Sequence, residues 1–137
     1  MHALFPKKKL IGKRSWGKEV LLALIPKKIS FKLLEMKKGT KGGIQYHHKK
    51  DECGYIIKGK LLVRYEKSKN KLSKKILKRG DVFHFPQGSV HQEEALTDCT
   101  ILEASTPYFN DRVRVDERFG QKVEGLPSTK KRDVILK

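Results

Sequence analysis

The chain has 137 residues, 37% of them hydrophobic, which is enough for one modest core and one domain. Its formal net charge is +17, from 32 basic against 15 acidic residues, and that balance admits a polyanion partner. Of the basic residues 25 are Lys and 7 are Arg, in short runs such as Lys7 to Lys9, Lys37-Lys38 and Lys74-Lys75. Geometric recognition of phosphate or bases favours the Arg fork. The expectation is therefore a solvated lysine-rich surface, and a nucleic-acid partner is not favoured.

Cys53 and Cys99 form no Cys-x-x-Cys pair, which argues against a thiolate metal site. Val20 to Pro26, the longest apolar run near the start, is too short to span a membrane. A cytoplasmic protein with reduced thiols and no membrane partner is expected.

In chain order, residues 1–16 read as a basic, irregular segment. Short strands follow: Val20–Ile25, Ile29–Met36, Ile44–His48, Gly54–Ile57, Leu61–Tyr65, Leu72–Leu77, Val82–Phe85, Val90–Ala95 and Thr100–Glu103. Lys58-Gly59-Lys60 reads as a tight hairpin, Ser68-Lys69-Asn70-Lys71 as a polar loop and Lys78-Arg79-Gly80-Asp81 as a second turn. Eight or more strands spaced about 8–12 residues apart mean an all-β sandwich or barrel, and no amphipathic helix of three turns is present. One domain over 17–120 is expected, followed by a basic, mobile tail over 121–137.

Two stretches hold most of the potential metal ligands. The first is Gly39-x5-Gln45-x-His47-x4-Glu52-x6-Gly59. Gln45 and His47 are two apart, so a strand turns them to the same face, and Glu52 returns toward that face after a turn. The second is Gly80-x5-Pro86-x-Gly88-x2-His91, whose Pro and Gly shape a turn that aims His91 inward. Two neutral imidazoles, a carboxylate and an amide oxygen suit one divalent transition metal such as Zn, Mn, Fe, Co or Ni. A register built on His48 would bring Tyr46 to the first ligand position. Tyr is a poor substitute there, so Gln45 and His47 are the expected partners of Glu52 and His91.

This spacing resembles the two motifs of the cupin superfamily, with Gln45 at the usual first His and Ala95 at the closing Asn. The resemblance implies a double-stranded β-helix, a jelly-roll-like barrel, and a homodimer. More narrowly, Gln45-Tyr46-His47-His48-Lys49-Lys50-Asp51-Glu52 resembles the Gln-x-His-(x4)-Glu signature of cupin mannose-6-phosphate isomerases, including those fused to mannose-1-phosphate guanylyltransferase. Trp16-Gly17 and the stretch Asp111 to Gly120 resemble the opening and ending of that isomerase domain.

The resemblance implies a metal held by Gln45, His47, Glu52 and His91, acting on a sugar or sugar phosphate. In that reading Glu94 or His84 carries the proton between C1 and C2, and Arg112 and Arg114 reach a substrate phosphate. The alternatives are a non-catalytic sugar-binding cupin and an Fe(II)-dependent cupin dioxygenase, the latter disfavoured by the amide of Gln45.

Overall fold

The computed structural model of the protein describes residues 1–109 and 111–122. Among them are eleven strands: β1 (Lys9–Arg14), β2 (Gly17–Ile25), β3 (Ile29–Met36), β4 (Gln45–His47), β5 (Glu52–Lys58), β6 (Lys60–Ser68), β7 (Lys71–Lys78), β8 (Val82–Phe85), β9 (His91–Ala95), β10 (Cys99–Ser105) and β11 (Arg112–Arg114). A single 3-10 turn follows at Asp116–Phe119. The strands form two antiparallel sheets, a six-stranded one in the order β1-β2-β3-β10-β5-β8 and a five-stranded one in the order β11-β4-β9-β6-β7. The expected all-β barrel is thus formed. No helix among the described residues is long and apolar enough to cross a membrane.

The inner face of the larger sheet is divided along its strands. Ile101 of β10 lies opposite Leu34 of β3 and Ile56 of β5, while Glu103 lies opposite Lys32 and Gly54. The first half joins an apolar core with Met36, Leu61, Val63, Leu77, Phe83, Phe85, Ala95 and Cys99. Ile56, Leu61 and Ile101 are fully buried there, each stabilising the fold by about 1.5–3 kcal/mol. The second half is polar, with Glu19, Ser30, Lys32, Glu52, Glu103 and Ser105 all buried.

Glycine is required at two places that shape this interior. Gly59, at φ 94°, turns β5 into β6, and a Cβ there would run into the Asp98 carbonyl oxygen. Gly54 lies under the Phe83 ring, which occupies the space a side chain would need.

The outer face of the six-stranded sheet carries one apolar row across all its strands: Leu10, Val20, Leu33, Leu102, Tyr55 and Val82 lie opposite one another in turn. Cys53 is exposed on this sheet and Cys99 is buried.

Several expectations need correction. Residues 1–16 are not irregular throughout, because β1 pairs with β2 and buries Ile11. Basic neighbours and a register shift between Leu10 and Gly12 hide its alternation in the sequence. The polar loop after β6 shrinks to Lys69-Asn70, with Asn70 at φ 59°. The lysines are not all at the surface, since Lys32 and Lys50 are buried. The expected tail lies, from residue 123 onward, outside the described residues.

Candidate metal centre

Strand pairing gathers the four expected ligands. In β4, Gln45 and His47 share a face, and Gln45 lies opposite His91 of β9. Glu52 opens β5 on the facing sheet. Oε1 of Glu52 is 3.5 Å from Nε2 of His47 and 3.4 Å from Nε2 of His91. The three ligand atoms all lie within 4.8 Å of one another.

Each imidazole is oriented from its far side. Nδ1 of His47 lies 3.2 Å from Oδ1 of Asp111, and Nδ1 of His91 lies 3.1 Å from the Ser89 carbonyl oxygen. With both Nδ1 atoms donating, the Nε2 lone pairs point to one place. Phe85 stacks on the His91 ring at 4.0 Å and fixes its plane.

The chemistry of this donor set fits a divalent cation. Oε1 of Gln45 is buried with no hydrogen-bond partner, and a buried carbonyl oxygen left in that state is costly. A cation between Glu52 and the two imidazoles would satisfy it.

The protonation states agree. Burial, followed by the Lys50 ammonium, pushes His47 down to about 4, so its imidazole is neutral at physiological pH. Burial also acts to raise the Glu52 carboxyl, but Lys50, His91 and His47 outweigh it and hold the group well below the usual carboxylate range.

The second oxygen of Glu52 is held by a lysine that the sequence placed at the surface. Nζ of Lys50 lies 3.1 Å from Oε2 of Glu52 and 3.7 Å from Oε1 of Glu103. Burial opposes the Lys50 ammonium, yet the Glu52 carboxylate beside it more than reverses this and raises its pKa above the usual lysine value. Asp111 ties the arrangement together. Its Oδ2 accepts the backbone N–H groups of Lys49 at 2.7 Å and Lys50 at 2.6 Å, while its Oδ1 meets His47. Burial raises the Asp111 carboxyl, and these bonds more than reverse that.

Above the ligands lies a cavity of about 80 Å³, lined by the four of them and by Trp16, Glu19, Lys50, Glu93, Glu103 and Arg112 among others. Burial lifts Glu93 to about 7, and burial with the nearby Glu52 lifts Glu103 well above the carboxylate range. The 3.7 Å contact from Lys50 to Glu103 is long for a hydrogen bond, so the ammonium serves Glu52, and Glu103 is the carboxyl that keeps its proton. Burial, then Arg114, lowers Arg112 to about 10, which leaves it cationic. Behind the cavity, Lys32 donates to Glu19 at 2.8 Å, and Arg14 donates to the same carboxylate at 3.1 Å.

Of the other expected site residues, only Arg112 lines the cavity. Arg114 donates to Asp116 at 2.7 Å and packs over Gly43. Glu94 faces the other way and accepts from Arg64 at 2.7 Å. His84 is exposed and pairs with Asp51 at 2.6 Å. His48 is likewise exposed.

Residues missed in the sequence are Glu93, Glu103, Lys50 and Asp111. Glu93 was detectable: it is two residues from His91 on one strand, so it shares the inward face, whereas Glu94 cannot.

The comparisons with known proteins agree with this fold. The family model described as the cupin domain matches residues 32–104, which include all four candidate ligands and Lys50, Glu93 and Glu103. Among curated proteins of Arabidopsis thaliana, the chain is 39% identical over 66 residues to germin-like protein subfamily 1 member 6, covering 46% of this chain and 29% of that protein. It is 29% identical over 72 residues to germin-like protein subfamily 3 member 2, covering 53% and 32%. The chain thus spans about a third of the length of these relatives.

Three solved structures share the fold at low identity. The capsular polysaccharide assembling protein CapF from Staphylococcus aureus superposes with a TM-score of 0.70 at 18% identity, over 81% of this chain and 32% of its own. KdgF from Halomonas sp. gives 0.59 at 24%, over 66% and 80%. An oxalate oxidase in complex with glycolate gives 0.56 at 24%, over 64% and 46%. With more than half of its length matched by the family model, the chain belongs to the cupin family.

Proposed function

We propose that the protein binds one divalent transition metal through Gln45, His47, Glu52 and His91 and acts as an aldose–ketose isomerase on a sugar or sugar phosphate. The observation that carries the metal is the convergence of one atom each from His47, Glu52 and His91, in a cavity also lined by Gln45, whose Oε1 has no hydrogen-bond partner. The bound metal supplies Lewis acidity to the carbonyl and hydroxyl oxygens of the sugar. Glu93 replaces Glu94 and His84 as the group that takes and returns the proton between C1 and C2, because its carboxyl lines the cavity. Glu103 donates a hydrogen bond to a hydroxyl, Lys50 and Arg112 draw in the anionic end of the substrate, and Trp16 supplies an apolar wall.

The Gln45-to-Glu52 spacing, similar to that of mannose-6-phosphate isomerases, supports this substrate class, as does the fold shared with CapF, a capsular polysaccharide assembling protein. The test is interconversion of mannose 6-phosphate and fructose 6-phosphate with Mn, Co or Zn, alongside metal content near one ion per chain. Turnover lost in Glu93→Gln with metal retained is the expected result. No turnover across hexose and pentose phosphates with metal bound would sink the isomerase and leave a sugar-binding cupin. Oxygen uptake with Fe(II) would move the assignment to a dioxygenase.

The homodimer belongs to the same reading. The apolar row from Leu10 to Val82 contains no lysine in a chain of charge +17, so it offers a second copy a surface free of like-charge repulsion. A monomeric mass in sedimentation equilibrium would exclude it.

A further inference from the structure

The fold gathers lysines that look scattered in the sequence. Between Lys58 and Arg79 there are ten basic residues and one acidic residue, Glu66, so this short stretch holds +9 of the chain's +17. It forms the β6–β7 hairpin, with β7 at the edge of the five-stranded sheet. By contrast, no lysine occurs between Lys78 and Lys122. A general compositional bias toward lysine would not produce this separation.

We propose that the β6–β7 hairpin binds the phosphodiester backbone of nucleic acid without sequence preference. Lys58, Lys60, Lys67, Lys69, Lys71, Lys74, Lys75 and Lys78 are all exposed. Lys60 lies directly opposite Lys78, and Arg64 directly opposite Lys74. Like charges facing each other across a ladder destabilise it, so the arrangement works against the isolated fold.

The neighbouring acids relieve it only in part. Glu94 offsets Arg64 at 2.7 Å, and Asp81 accepts the Lys78 backbone N–H at 2.9 Å. Glu66 accepts from the Asn70 backbone N–H at 2.9 Å and faces Arg118 at 3.6 Å. Guarding an edge strand needs a lysine or two on that strand. Here the inner strand β6 and the turn are charged as well.

The dimensions favour a nucleic acid over a lipid surface. Nine residues of β6 extend about 30 Å, the length over which one strand of a duplex presents about nine phosphates. That density matches eight lysines, whereas a membrane surface site would need a set of apolar anchors. On this hairpin Ile76 is the one large apolar side chain exposed among the described residues. The described residues of the hairpin expose no aromatic to stack on a base and Arg64 is already paired, so recognition stops at the backbone.

The test is fluorescence anisotropy of a labelled duplex and a labelled single strand, each about 20 nucleotides long, titrated with the full protein. The triple variant Lys74→Gln, Lys75→Gln, Lys78→Gln is compared with Lys7→Gln, Lys8→Gln, Lys9→Gln, which removes the same charge from the N-terminal segment. The expected result is at least about a tenfold loss of affinity at 50 mM salt in the hairpin variant and under about twofold in the control. The dependence of log K on log salt should become shallower by about 2.7, at about 0.9 per lost phosphate contact. Equal losses in the two variants would show a response to net charge alone and overturn the proposal. So would lysine-dependent binding to vesicles containing phosphatidylserine with no binding to either nucleic acid. Metal content equal to that of the parent protein reports that each variant is folded.

Discussion

Glu52→Gln is expected to abolish stable metal binding and to lower the stability of the metal-free protein by about 3 kcal/mol. The first effect follows from the position of Oε1, which both imidazole Nε2 atoms face at 3.4–3.5 Å. The second follows from Lys50, a buried ammonium whose nearest counter-charge is Oε2 of the same side chain. Removing one member of a buried pair leaves the other uncompensated, at about 3–5 kcal/mol. The lower end applies here because Glu103, relieved of the Glu52 charge, gives up its proton and takes over part of the pairing. The double variant Glu52→Gln, Lys50→Met should recover most of the stability and none of the metal. Thermal unfolding and metal analysis on the same samples check both statements, and a Glu52→Gln protein as stable as its parent would disprove the Lys50 argument.

Asp111→Ala is expected to weaken metal affinity about 10–100-fold and to destabilise the protein by about 2–3 kcal/mol. Asp111 touches no metal position. It fixes the His47 ring through Nδ1 and closes the Lys49–Lys50 turn through two backbone N–H bonds. Loss of a carboxylate that orients a ligating His typically costs that much affinity, and the partly buried Lys50 N–H would be left without its acceptor. Asp111→Asn keeps an acceptor oxygen for the turn but loses the charge, so its stability should fall between the two while its affinity stays reduced. Competition with a chromogenic chelator measures the affinity, and unchanged metal binding in Asp111→Ala would remove Asp111 from the centre.

The candidate ligand set could be proposed from the sequence because strand parity and the shape of the two glycine-bounded stretches are local properties. Gln45 and His47 share a face by being two apart, and the structure brings Glu52 and His91 to the same place. Ile29–Met36 and Val82–Phe85 read as strands, and β3 and β8 have those bounds, although in β3 it is Ser30 and Lys32 that face inward and Ile29 and Phe31 that face out. What could not be read was anything set by a partner distant in sequence. Lys50 is buried because Glu103 and Glu52 converge on it from two strands, and in the sequence it is one more lysine of a pair. Asp111 reaches His47 across 64 positions. Lys60 and Lys78 sit in separate runs until the hairpin sets them opposite each other. Glu93 is a different case. The rule that paired Gln45 with His47 also pairs Glu93 with His91, and choosing Glu94 overlooked it.

The division of the barrel interior has a consequence for how such a protein can change. Ile101 and Glu103 are neighbours on the same face of β10, yet one belongs to the apolar core and the other to the cavity wall. Ile56 and Glu52 repeat the arrangement on β5, whereas on β3 Leu34 belongs to both the core and the cavity wall, with Lys32 behind it. β5 and β10 therefore carry their anchorage and their chemistry in separate segments. Substitutions at the polar end can vary what the cavity accepts while the apolar end keeps the strands in register. The fold is in this sense a holder with an exchangeable mouth, in which a lineage can explore new ligands without first dismantling what keeps it folded.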